Sequence, residues 1–170
     1  AVLVSVDTTR SVANAGSNIT LTCANPTLQI GTAAIAGASY SWSPALGLSN
    51  ASIAQPIANT NGIYTLKVTK LVNGCTSMDA VTVAVDTTKP TANAGANVTL
   101  TCTNPTLQIG TAAIAGNTYS WAPVLGLSNA AIAQPIANTT GTYNLTVTKT
   151  ANGCTSTDVV TVAVDTTRPT

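Results

Sequence analysis

The feature that most constrains this chain is an internal repeat of 79 residues without a gap. Cys23 recurs as Cys102, Trp42 as Trp121, Cys75 as Cys154 and Asp86 as Asp165. Across residues 10–88 and 89–167 about three positions in four are identical. A fixed period of this size means one structural unit used twice. The flanks continue the period. AVLVSVDTT at 1–9 resembles AVTVAVDTT at 80–88 and VVTVAVDTT at 159–167. Residues 1–9 therefore read as the last strand of a preceding repeat. Residues 10–88 and 89–167 read as modules one and two. Residues 168–170 read as the start of a following repeat, so the chain is expected to be cut from a longer array.

Within each unit the hydropathy alternates with period two. Ile19, Leu21 and Cys23 share one side. Tyr40 and Trp42 alternate with serines, and Tyr64, Leu66 and Val68 alternate with Ile63, Thr65, Lys67 and Thr69. Val81, Val83 and Val85 alternate with Ala80, Thr82 and Ala84. Threonine and valine at this period predict half-buried strands. Breaks at Asn25-Pro26, Ala36-Gly37, Asn61-Gly62 and Asn73-Gly74 predict the turns between them. Seven strands are expected per unit, near 11–15, 18–23, 27–31, 39–43, 53–57, 62–70 and 76–85. That pattern predicts an all-β chain of two tandem sandwiches, each with a thin core. The two copies test the phase. They differ at 39, 43, 63, 65, 67, 78 and 80, on the expected outer face, and agree at Tyr40, Trp42, Tyr64, Leu66, Val81, Val83 and Val85. Trp42, Trp121, Tyr64 and Tyr143 are accordingly expected in the core rather than on a sugar-binding platform.

Composition excludes several functions. Charged residues make up 6% of the chain and the net charge is +1, against about 25% charged in an average domain. No field is available to hold nucleic acid or an anionic membrane. Histidine is absent, and all five acidic residues are aspartates. The abundant serines and threonines thus lack a partner base, and no enzyme, metal or cofactor site is expected. No apolar run reaches the roughly 18 residues that would span a bilayer.

The four cysteines come without histidine and without a CxxC spacing, which argues for disulfides and an oxidising setting. In a Greek-key sandwich the strand ending at Cys23 and the strand ending near Lys70 would finish at one pole. Cys23–Cys75 and Cys102–Cys154 are then the expected staples, each worth roughly 4 kcal/mol by chain entropy. Cys75–Cys102 is the alternative.

The segments ANAG, YSW, GIYTLKVT, NGC and VTVAV, in that order, resemble PKD-like and immunoglobulin-like repeats of giant surface adhesins of Bacteroidota-type bacteria, cargo of the type IX secretion pathway. The resemblance covers both modules. It implies an extracellular, bacterial-surface setting and places Trp42 and Trp121 as core tryptophans and Tyr64 and Tyr143 as buried tyrosines. The cysteine pair departs from the usual PKD pattern.

Asp7-Thr8-Thr9, Asp86-Thr87-Thr88 and Asp165-Thr166-Thr167 stand at the module junctions. Each reads as an aspartate-capped turn. Each also resembles the O-glycosylation acceptor of such glycoproteins, with the sugar on Thr8, Thr87 or Thr166. One carboxylate per junction is too few for calcium. Asn18, Asn50, Asn97, Asn138 and Asn144 begin N-x-S/T triplets of the kind that arise by chance in a chain this rich in asparagine and threonine. Lys70 and Asp79 are expected to face each other across a hairpin as an exposed pair. An isopeptide at Lys70 would need a buried lysine, which the alternation does not provide. The expected function is a structural or adhesive repeat acting as a stiff spacer. It would contact neighbouring repeats, copies of itself along a filament, or surface glycans and cell-surface ligands. The alternatives are a fibre subunit joined by strand complementation through residues 1–9, and a carbohydrate-binding accessory module.

Overall fold

The computed structural model describes residues 2–165 and 167. The chain divides into two compact units, residues 1–87 and 88–170. The first contains β1 Ile19–Thr22, β2 Leu28–Gln29, β3 Ala38–Ser43, β4 Ile57–Ala58, β5 Gly62–Lys70 and β6 Thr76–Asp86. The second repeats them as β7 Val98–Thr101, β8 Leu107–Gln108, β9 Asn117–Ala122, β10 Ile136–Ala137, β11 Gly141–Lys149 and β12 Thr155–Asp165. Each unit pairs a four-stranded sheet with a two-stranded one, in the orders β1-β6-β5-β3 and β2-β4, repeated as β7-β12-β11-β9 and β10-β8. The fold class is all-β, two tandem immunoglobulin-like sandwiches.

The register explains the core. β5 and β6 form an antiparallel pair with Tyr64 opposite Val81, and β3 lays Trp42 opposite Leu66. Tyr64, Leu66 and Val68 therefore share the inner face with Val81 and Val83, and all five are at most 2% exposed. Burying one such aromatic side chain removes roughly 150–250 Å² from water, worth about 4–6 kcal/mol. Both kinds of aromatic also satisfy their polar tips. The Trp42 indole N–H donates to the Ile53 carbonyl at 2.9 Å. The Tyr64 hydroxyl reaches the Thr60 carbonyl at 3.0 Å. The second unit repeats this at Trp121 and Tyr143.

Six strands form in each unit where seven were expected. Residues 11–15 make no ladder, because side chains of β6 take their hydrogen bonds. Ala13 N–H donates to Ser77 Oγ at 2.8 Å, and Ala15 N–H donates to Asp79 Oδ2 at 2.8 Å. The segment is tied down at one residue in two, and Ala15 is fully buried. The strand expected at 53–57 shrinks to Ile57–Ala58, since Trp42 occupies the carbonyl of Ile53. Val85 and Val164, expected inside, are 48% and 47% exposed. β5 begins at Gly62 opposite Val83, so β6 has run past its neighbour by Val85.

Lys70 does not face Asp79. Asp79 lies opposite Leu66 and holds the backbone of Ala15, while Lys70 pairs with Asp7 at 3.3 Å. That ion pair is largely exposed and contributes little. Residues 2–9 carry no strand, and Val2, Leu3, Val4 and Val6 are 79–94% exposed.

Candidate functional site at the poles of each unit

The strand directions define two poles in each unit. β1 runs parallel to β6, so the chain beyond Thr22 emerges beside Asp86. Cys23 and Asp86 thus mark the exit pole. Cys75, just before Thr76, marks the entry pole. In the second unit Thr101 lies opposite Asp165, so Cys102 is at the exit pole, and Cys154 is at the entry pole.

This geometry overturns both expected staples. β6 has 11 residues, so about 33 Å of strand separates the two poles. A disulfide needs Cα atoms about 4.4–6.8 Å apart, so Cys23 and Cys75 cannot pair within one unit. The same argument excludes Cys102 with Cys154. The expectation failed because it matched β1 in direction with β5. β1 runs parallel to β6 and therefore opposite to β5. The alternative Cys75–Cys102 pairing is not formed either, because those two residues carry free thiols. Disulfide chemistry is present at Cys23 and Cys154.

At the entry pole, Asn73 joins Cys75 to the Asp-Thr-Thr segment. Its Oδ1 accepts the Cys75 N–H at 3.0 Å. Its Nδ2 donates to the carbonyl of Thr9 at 2.9 Å and of Asp7 at 3.2 Å. Lys70 adds a hydrogen bond to the Thr9 hydroxyl. The second unit repeats the joint. Asn152 accepts from Cys154 N–H at 3.0 Å and donates to the Thr88 carbonyl at 2.9 Å. Asn152 is the buried polar residue among those described, at 2% exposure. The Asn-Gly-Cys triplet had looked like a turn alone, and its recurrence in both copies was the available signal for this larger role.

The Asp-Thr-Thr segments close on themselves. Asp7 Oδ1 accepts the Thr9 N–H at 2.9 Å and its hydroxyl at 2.6 Å. Asp165 does the same with Thr167, at 2.8 and 2.6 Å. The Thr9 hydroxyl, then its N–H, then Lys70 hold the Asp7 carboxyl down at about 2. The Thr167 hydroxyl and N–H likewise lower Asp165. Asp158 is lowered by the N–H groups of Ala94 and Val159. Thr8 and Thr87, the middle residues, are exposed, and Thr166 lies outside the described residues, as do Ala1 and residues 168–170.

At the exit pole of the first unit an open hollow is lined by Leu21, Thr22, Pro26, Asn59, Val85 and Thr87. Its counterpart in the second unit is lined by Thr101, Cys102, Thr103, Asp165 and Thr167. Among the described residues no three His, Cys, Asp or Glu side chains gather as a metal-holding group. Trp42 and Trp121 are 3% and 1% exposed, and Tyr64 and Tyr143 are 1% exposed. Tyr40 and Tyr119 are half-buried, each taking a backbone N–H five residues back. Asn18 and Asn97 accept the N–H of Thr82 and Thr161 and so have structural work within their units. Among the described residues no helix is long and apolar enough to cross a membrane.

No protein-family model and no curated protein matches the chain. Solved structures resemble it. Extracellular domains 3–5 of Drosophila OTK align at 17% identity and a TM-score of 0.43, over 88% of this chain and 59% of that one. Three N-terminal domains of the bacteriophage RB49 Hoc capsid protein align at 11% identity and 0.46, over 88% and 67%. The titin tandem A164-A165 aligns at 10% and 0.33, over 89% and 94%. The chain spans about three-fifths of the OTK structure.

Proposed function

We propose that the chain is a structural, adhesive repeat segment of a large extracellular surface protein, a stiff spacer that carries a binding tip away from a cell. The observation that carries this reading is the agreement between the two copies. Leu21, Trp42, Tyr64, Leu66, Val81 and Val83 recur unchanged in the second core. The exposed positions 39, 63, 67, 78 and 80 all differ. A repeat that keeps its core and lets its faces drift is under pressure to be a body of fixed size. The threonine-covered surface offers no base beside a nucleophile. Every aromatic ring is buried or half-buried, which disfavours a carbohydrate-binding face. The PKD-like, Bacteroidota-type surface setting, with type IX export, belongs to this proposal on the strength of the sequence resemblance.

The spacer reading sets a length. With strands of up to 11 residues, each added repeat should extend the molecule by roughly 35–40 Å. Small-angle scattering from chains of two and four repeats should show the maximum dimension rising linearly while the cross-section stays constant. Growth as a compact globule would refute the spacer. A second reading, strand complementation, draws on the exposed Val2, Leu3, Val4 and Val6. It requires the scattering mass to rise with concentration, and deletion of residues 1–9 to abolish that rise.

The same proposal includes O-linked sugar at the junction threonines. Thr8 and Thr87 are exposed between an aspartate and a second threonine, and a surface this poor in charge gains solubility from glycan. Mass spectrometry of peptides from native material should find hexose mass on the segments holding Thr8, Thr87 and Thr166. Unmodified masses at all three would remove the idea.

A further inference from the structure

We infer that Cys102 and Cys75 are the two halves of a covalent end joint. Cys102 of one copy of the repeat pair forms a disulfide with Cys75 of the next, head to tail. Three independent observations lead there.

The first is position. Cys102 is at the exit pole of the second unit, one residue past Thr101, which lies opposite Asp165. Cys75 is at the entry pole of the first unit. An exit pole meeting an entry pole is a heterologous contact, which propagates along a line rather than closing on itself.

The second is a shared ruler. The Asp-Thr-Thr element flanks both cysteines, in two different roles. As Asp165-Thr166-Thr167 it leaves the exit pole, and Asp165, Thr167 and Cys102 line one hollow. As Asp7-Thr8-Thr9 it docks on the entry pole through Asn73, whose amide also holds Cys75. Asp165 and Asp7 close the same turn onto Thr167 and Thr9, with matching bonds. One such element serving both roles at once gathers a Cys102 and a Cys75 around itself.

The third is oxidation state. Cys23 stands at the exit-pole position of the first unit and Cys154 at the entry-pole position of the second. They are the repeat counterparts of Cys102 and Cys75, and both are disulfide-bonded. Cys75 and Cys102 are free, with Cys102 exposed and Cys75 partly so. Both positions of the repeat are thus built for disulfide chemistry, and two of the four remain unused.

The reaction needs an oxidant, and a small-molecule disulfide suffices. The Cys102 thiolate attacks oxidised glutathione and expels one glutathione thiolate, leaving a mixed disulfide. The Cys75 thiolate of a second copy attacks the protein sulfur and expels the other. Two protein thiols become one disulfide, one oxidised glutathione becomes two reduced ones, and the protons stay with the glutathione and solvent.

The inference deepens the spacer reading and rests on it only in requiring repeats end to end. Its test is oxidation of the purified 170-residue chain by oxidised glutathione, with Cys23 and Cys154 left in their disulfide state. The expected result is a ladder of covalent multimers on non-reducing gels that collapses with reductant, and a Cys75–Cys102 peptide by mass spectrometry. Cys75→Ser and Cys102→Ser chains should each stay monomeric, and an equimolar mixture should stop at a covalent dimer. A chain that stays monomeric overturns the inference, whether its two thiols are capped by glutathione or closed on each other. So do Cys102–Cys102 dimers from the Cys75→Ser chain, and so does a ladder that survives in the double variant. Scattering from the monomer is indifferent to all of these, so loss of the end joint leaves the spacer length separately measurable.

Discussion

Replacing Trp121 by alanine is expected to split the unfolding of this chain into two well-separated steps, with the second unit lost first. Trp121 is 1% exposed and belongs to a core of ten buried residues in a unit of only 79-residue period. A tryptophan-to-alanine change in a core costs about 3–5 kcal/mol. A domain of this length holds only about 4–12 kcal/mol in total. The truncation also frees the Ile132 carbonyl, which accepts the indole N–H at 2.9 Å. Trp121→Phe should cost less, because most of the apolar area survives and only the hydrogen bond is lost, at about 0.5–1.5 kcal/mol. The first unit keeps its own core around Trp42 and serves as the reference. Urea unfolding followed by circular dichroism reads the result. One transition at an unchanged midpoint would mean that Trp121 does not hold the second core together.

The fold was legible where local chemistry decides it. The alternation of Tyr64, Leu66 and Val68 with Ile63, Thr65 and Lys67 marks the buried side of β5 at every step. What stayed hidden are facts about pairing partners. A strand shows the same alternation whether its neighbour runs parallel or antiparallel. Nothing in the run Ile19–Thr22 therefore announced that β1 lies parallel to β6, and the cysteine pairing went wrong with it. Asp79 misled for a related reason. An aspartate on the outer side of a strand reads as a surface acid, yet this one stands in for a strand's backbone acceptor, at 2.8 Å from Ala15 N–H. Segment 11–15 then needs no ladder, so its polar bookkeeping could not be seen in its own residues. The junction was half legible. The capped turn at Asp7 follows from its residue types, while the use of Asn73 to bind that turn to Cys75 depends on a contact 64 residues distant.

Gly31→Ala should destabilise the first unit by about 3 kcal/mol or more, although it adds one methyl group. Gly31 has φ +82°, a left-handed conformation that costs an L-residue roughly 1–2 kcal/mol. A Cβ there would sit 2.1 Å from the Ala54 carbonyl oxygen and 3.0 Å from Cζ2 of Trp42. The first obstacle is backbone and cannot turn aside. The loop at Ala54 must move, and with it the neighbouring Ile53 carbonyl that holds the Trp42 indole. Gly31 N–H is itself committed to the Ala15 carbonyl at 2.9 Å, so retreat the other way pulls on the segment that Asp79 ties down. Gly37→Ala separates strain from collision. Gly37 has φ +74° but nothing within 4 Å of its would-be Cβ, so only the conformational cost of about 1–2 kcal/mol applies. The twin Gly110 repeats the 2.1 Å approach, at Ala133. Gly110→Ala should therefore shift the second unit's transition by the same amount that Gly31→Ala shifts the first. Equal midpoints for Gly31→Ala and Gly37→Ala in urea would show that the loop at Ala54 yields freely. The close packing of that loop over Trp42 would then contribute nothing to the stability of the repeat.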